Sequence, residues 1–469
     1  MMEEKEKSTL KETLLAKPRT ASDVMTPESR AASDAFCEDY KAFLDAGKTE
    51  REFVKIAVLY AEKMGFVPYT FGCPVKAGDK FYYNNRGKSL HTFVIGSEPL
   101  ECGIRISAAH IDSPRIDLKP NPLYEQDGMA MFKTHYYGGI RKYQWTALPL
   151  ALHGTVVRRD GTVIDVSIGE DDTDPIFYIT DLLPHLAKDQ NAKPLGEAIS
   201  GEGLNILLGT EPCPGEEGDS GLIKLNVMRL LNEKYGIVES DFVTAELCAV
   251  PAAKARDVGL DRSLIGSYGH DDRVCAYPML RAALECENPV HTVYAILADK
   301  EEIGSYGVSG MQCDLMVDIF NDLSRTLGQN PEAVRAHSMC LSADVNAAFD
   351  PNFPEVYEKR NSCFVNRGVV VTKYTGARGK SSTSDASAEY FGFVRRALES
   401  ENVLWQSGEL GKVDQGGGGT VAMFIAQHNI DTIDVGVPVL AMHAPWEVVA
   451  KYDVYETYRA VKAFNAYTE

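Results

Sequence analysis

Three apolar runs in the second half of the chain, HTVYAILAD, HSMCLSADVN and DTIDVGVPVL, are each of strand length. They are interleaved with VCAYPMLRAALE, SDASAEYFGFVRRALES and WEVVAKYDVYETYRAVKAFNAY, which carry the spacing of amphipathic helices. Strands that alternate with helices bury their faces as an α/β layer. The expected fold class is therefore α/β, a mixed and largely parallel sheet flanked by helices. An earlier run, GIRISAAH, in which Ile104, Ile106 and Ala108 alternate, is a further strand of that layer.

The region between about Pro120 and Arg262 has a different texture. PLALHGTVVRRDGTVIDVSI reads as two short strands around an Asp160-Gly161 hairpin signal, and GTEPCPGEEGDSG is too polar and breaker-rich for a core element. This organisation predicts an inserted β-rich domain over 120–262, with a lid or dimerisation role. The α/β domain would then be divided into 1–119 and 263–469. Within its first part, helical spacing runs from Ser33 to about Met64, and the charged first thirty residues read as a mobile arm.

With 469 residues, 44% hydrophobic and 25% charged, the chain has the balance of a globular protein with room for two or more domains. A formal charge of -19 opposes nonspecific attraction to nucleic acid or anionic membrane, so neither is an expected partner. The opening MMEEKEKSTLKETLLAK lacks the apolar core of a signal peptide, and no apolar stretch reaches membrane-spanning length. The ten cysteines are scattered without a C-x-x-C pair, the pattern of reduced thiols, which makes the expected location cytoplasmic.

Each strand candidate of the α/β part leads into ligand-type residues. GIRISAAH ends at His110 with Asp112 two positions on. SYGHDDR supplies Asp271 and Asp272, YAILADKEE delivers Glu301 and Glu302, CLSADVN delivers Asp344, and VPVLAMHAP delivers His443. Taken singly, such residues are ordinary: an Asp pair before a helix is a cap, and a Glu pair is a solvated turn. Taken together they converge, because open α/β sheets gather ligands beyond the carboxyl ends of their strands. Imidazole and carboxylate suit zinc, and one aspartate can bridge two metals ~3.5–4 Å apart.

The segments AAHIDSPR, HYYGGI, LPHLA, GHDDR, DKEEIGS, ADVN, GKSSTSDA and LAMHAP, in this order, resemble the aspartyl aminopeptidase family. That family includes the vacuolar aminopeptidase of yeast and belongs to the co-catalytic zinc peptidases of clan MH. The resemblance runs from about residue 40 to the C-terminus and is closer to a bacterial branch. It implies a metallo-aminopeptidase that removes N-terminal residues from peptides with a free N-terminus and uses two Zn2+ ions, Co2+ or Mn2+ being alternatives. By resemblance, His110 and Glu302 are terminal ligands on opposite metals, Asp344 and His443 complete the pair, and Asp271 bridges. Asp112 resembles the carboxylate that orients an imidazole ligand, and Glu301 matches the general base.

The same resemblance implies a homo-oligomer, a tetrahedral dodecamer, and a histidine comparable to His185 that reaches a neighbouring subunit's site. Lys380, in the basic loop GARGKSST, is a candidate contact for a substrate carboxylate. The sequence departs from eukaryotic members where TALPL replaces a charged Asp-Arg-Asp stretch, which leaves the preferred N-terminal residue open. A deacylase of the same clan and a noncatalytic assembly protein keeping the fold are the competing readings. Gly416–Gly419 is not a P-loop, because no Lys-Ser/Thr follows it; its glycines would allow a close backbone approach to substrate.

Overall fold

The computed structural model describes residues 10–218 and 220–468. At its centre is a nine-stranded mixed sheet. Four adjacent parallel strands carry the chemistry: β1 (Arg105–His110), β2 (Val293–Ala298), β3 (Met339–Ala343) and β4 (Asp431–Gly436). Their spatial order is β2-β1-β3-β4. An antiparallel strand closes each side of this group, Ser89–Val94 beside β2 and Val369–Thr372 beside β4. The sheet is thus largely parallel and flanked by helices, as the alternation of apolar runs requires.

Both faces of these strands are buried, which accounts for their near-continuous apolar runs. Ile106 and Ala108 of β1 pack with Tyr294, Ile296 and Phe320 on one face. Ala109 on the other face joins Tyr40, Phe43, Tyr277 and Phe464. The helices covering that second face include Pro27–Ala46, His270–Leu284 (helix α1) and Lys451–Ala466.

A six-stranded antiparallel sheet is built between Arg115 and Pro251, with its own core around Ile116, Phe132, Trp145 and Leu152. Its Leu150–Val157 and Val163–Ile168 strands form the hairpin signalled by Asp160-Gly161. A third sheet, of five strands, includes Leu264–Ser267, Pro438–Leu440 and Glu447–Ala450.

Three local expectations are corrected. The first nine residues lie outside the described residues and residues 10–19 are exposed, but from Ala21 the proposed arm is anchored: Ala21 is buried against Leu404 and Tyr452, and its N–H donates to the Asn366 carbonyl at 2.8 Å. The helical pattern from Ser33 to Met64 is two helices, Pro27–Ala46 and Glu50–Lys63. The break falls at Gly47–Thr49, where Thr49 and Glu52 form a reciprocal cap that starts the second helix. Finally, WEVVAKYDVYETYRAVKAFNAY begins as a strand, Glu447–Ala450, and becomes helical only at Lys451.

Candidate metal centre

His110 is the last residue of β1, and hydrogen bonds within its own turn orient it. Its Nδ1 lies 3.0 Å from the Asp112 carbonyl oxygen, so the Nδ1 proton is used there and Nε2 faces inward with its lone pair. His443, beyond β4, is held in the same way: Nδ1 donates to the Gly139 carbonyl at 2.8 Å. Both imidazoles therefore present Nε2 to the same carboxylate. His110 Nε2 is 3.2 Å from Asp271 Oδ1, and His443 Nε2 is 3.2 Å from Asp271 Oδ2.

Asp271 stands at the entry to α1, outside helical geometry, and its peptide bond to Asp272 is cis. Its backbone is pinned on both sides: the N–H donates to Glu447 Oε2 at 2.9 Å, and the carbonyl accepts from Ser113 Oγ at 2.6 Å. The second Glu447 oxygen accepts the His443 N–H at 2.7 Å. One buried carboxylate thus fixes the backbone of two site residues. Sequence reasoning missed Glu447, whose only signal was its place four residues beyond His443 in HAPWEVV.

The Glu301-Glu302 pair follows β2 after Asp299 and Lys300. Lys300 adopts a left-handed conformation, and Glu301–Ile303 form a single 3-10 turn closed by Gly304, also left-handed. This turn releases the two carboxylates from the opposite-face rule of a strand. Asp112, fully buried, holds the turn, with Oδ1 accepting the Glu301 N–H at 3.1 Å and Oδ2 the Glu302 N–H at 3.2 Å.

Two ligand groups result, His110 with Asp271 and Asp344, and Asp271 with Glu302 and His443. The donor atoms within each group lie within 4.8 Å of one another. The donors are nitrogen and oxygen without sulfur, the set zinc accepts. Asp271 Oδ1 and Glu302 Oε1 are buried without a hydrogen-bond partner, a cost that a bound cation would remove. The residues present therefore fit a pair of metal ions.

Electrostatics point the same way. Burial pushes Glu302 well above the usual carboxylate range, with the nearby Asp271 adding to it, and burial likewise pushes Glu301 up to about 8. Burial opposes the charged form of His443, yet Asp271 and Glu302 outweigh it and push the imidazole up to about 10. Carboxyl groups crowded and buried in this way are costly to ionise, and a bound cation would offset that cost.

Lys380 and His185 take no part in either group. Lys380 pairs with Asp385 at 3.0 Å and sits 3.7 Å above the Tyr374 ring centroid. His185 is exposed in a turn of the inserted domain. In the glycine run, Gly417 (φ +109°) approaches protein backbone: a Cβ there would lie 2.6 Å from Ala377 Cα.

An inward-facing set of imidazoles and carboxylates at the carboxyl ends of parallel strands defines a metal-dependent hydrolase. Comparison with known proteins narrows the class. Residues 43–465 match the family described as aminopeptidase I zinc metalloprotease (M18). A probable M18 family aminopeptidase 1 of Clostridium acetobutylicum is 51% identical, over 92% of this chain and 94% of the relative. Its namesake in Thermotoga maritima is 44% identical, over 92% and 95%. A crystal structure of an M18 aminopeptidase from Thermotoga maritima superposes with a TM-score of 0.91 at 42% identity, over 96% of this chain and 99% of that one. The crystal structure of aminopeptidase I from Clostridium acetobutylicum gives 0.91 at 44%, over 96% and 100%. The chain belongs to the M18 family and is a metallo-aminopeptidase.

Proposed function

We propose that the protein removes the N-terminal residue of peptides at a centre of two zinc ions, with Asp271 shared between them and Glu301 as general base. The observation that carries this reading is the division of Asp271, one oxygen toward His110 and the other toward His443 at equal distance. His110 and Asp344 would hold one ion, and Glu302 and His443 the other. When bound, the ions supply Lewis-acid polarisation of the peptide carbonyl and an activated water nucleophile.

The protein's own part is positioning and proton transfer. Asp112 fixes the turn that carries Glu301, so the Glu301 carboxylate stays beside the ligands without being one of them. Glu301 accepts the proton of the attacking water and returns it to the leaving amine, a role worth ~10²–10⁴-fold in rate. E301Q should keep full zinc content and lose turnover on that scale. A variant with near wild-type rate removes Glu301 from the role. Aminoacyl-anilides assayed beside N-acyl amino acids, with and without chelator, separate an aminopeptidase from a deacylase.

Self-association is part of the same proposal. A distant relative from S. cerevisiae, mApe1, is described as a dodecamer. Here Ile176, Leu182, Leu183, Leu186 and Leu195 are all at least half exposed on the inserted domain. His185 lies among them, exposed, and would meet a site on a second copy. A monomeric sedimentation profile overturns this part.

A further inference from the structure

The inserted domain touches the candidate metal centre with three consecutive residues, Tyr137, Gly138 and Gly139, at the end of the strand Met129–Tyr137. Tyr137 Oη donates to Asp112 Oδ2 at 2.8 Å. Gly138, at φ +74°, runs against Glu302: a Cβ there would lie 3.0 Å from Glu302 Oε2. The Gly139 carbonyl accepts the His443 Nδ1 proton. Glycine suits this passage, since a side chain at Gly138 would be strained by the left-handed backbone and would crowd the Glu302 carboxylate.

We infer that Tyr137 is a positioning residue of the metal centre, through which the inserted domain sets the geometry of the Asp112 carboxylate and hence of the Glu301-Glu302 turn. The inference rests on the metal reading proposed above. Asp112 is fully buried, and its two oxygens accept three hydrogen bonds, from Tyr137, Glu301 and Glu302, with His110 Nδ1 3.4 Å from Oδ1. Asp112 is 0% exposed, so loss of the phenol leaves Oδ2 with one partner fewer and weakens the hold of the carboxylate on the two backbone N–H groups.

Tyr137 is itself clamped. The Arg115 guanidinium lies 4.1 Å from its ring centroid and pairs with Glu50 at 2.9 Å and Asp117 at 2.8 Å. Glu50 opens the helix Glu50–Lys63 of the α/β domain, so the ring is held between the two domains. A cation stacked on a ring and paired with a buried carboxylate is a rigid support. The donor therefore reaches Asp112 from a fixed point that the α/β domain does not itself provide.

The test is Tyr137→Phe, which keeps the ring on Arg115 and removes only the hydroxyl. Zinc affinity is read by chelator competition, and kcat and KM are read at saturating zinc. Affinity or kcat should fall ~10-fold, the scale of lost outer partners of metal ligands, with KM unchanged. In a D112N background the same change should have little further effect. The inference is overturned if Y137F stays within twofold of wild type in both affinity and kcat. It is equally overturned if its effect persists undiminished beside D112N, or if the zinc-free protein melts lower in proportion to the loss. A wild-type protein that binds zinc but releases no N-terminal residue would sink the peptidase reading alone, because zinc competition still reports on Tyr137.

Discussion

His110 and His443 face the same aspartate at the same distance, yet His110 is 1% exposed and His443 is 34% exposed. The difference follows from where each enters the sheet. His110 is still in register within β1, between β2 and β3, whereas His443 comes after β4 has ended and the chain has passed through a short strand of another sheet. Two halves of one centre can thus share their chemistry and differ in access. The accompanying carboxylates run the other way, Glu302 being the more buried and Asp344 the more exposed, so the contrast in access belongs to the imidazoles.

The largest expected effect comes from removing what the halves share. Asp271→Asn should strip both ions and cost more than the ~10–100-fold typical of outer partners; full zinc occupancy in this variant would show that the two groups act independently. Next in size, chelator should remove zinc from the wild type in two kinetic phases. H443A should abolish the fast phase and H110A the slow one, and a single phase in the wild type would erase the distinction between the halves. Glu447→Gln loosens the backbone of Asp271 and His443 together, so zinc affinity should drop ~10-fold in both phases. A drop in one phase alone would show that Glu447 serves only that half.

The smallest effect contrasts the site histidines with one of the scaffold. Burial holds His91 neutral down to about 3, beside the Tyr294 hydroxyl at 2.7 Å. The unfolded chain takes up that proton near pH 6.5, so the stability contributed by neutral His91 is complete above that value and is lost as pH falls toward 3. Between pH 7 and pH 4 the zinc-free wild type should lose about 3 kcal/mol more than H91Q, read from denaturant midpoints. Parallel pH curves for the two proteins would remove His91 from the account.

The parts of the site that could be read in the sequence share a cause. His110, Glu301, Glu302 and Asp344 each end or follow an apolar strand run, so the pattern that forms the sheet also marks where the site's candidate residues gather. Glu447 had no such marker, and Tyr137, although inside HYYGGI, carried no sign of its contact; both act on other residues' backbone or carboxylate atoms, through contacts that only the folded chain creates. Glu447–Ala450 was hidden within a helical pattern because Val448 and Val449 suit either period. The break at Gly47 was hidden because apolar spacing continued across it, although the Thr49–Glu52 cap was a local signal for a new helix. The anchoring of Ala21 depends on Leu404 and Tyr452, which no local pattern could supply.

The His443–Gly139 hydrogen bond joins residues 304 positions apart. Between them the chain lays down the rest of the inserted domain and three of the four central parallel strands. A nascent chain on the ribosome therefore has no complete centre until its last strands have emerged and docked. A product cut short before His443 would lack one donor of the group formed with Asp271 and Glu302.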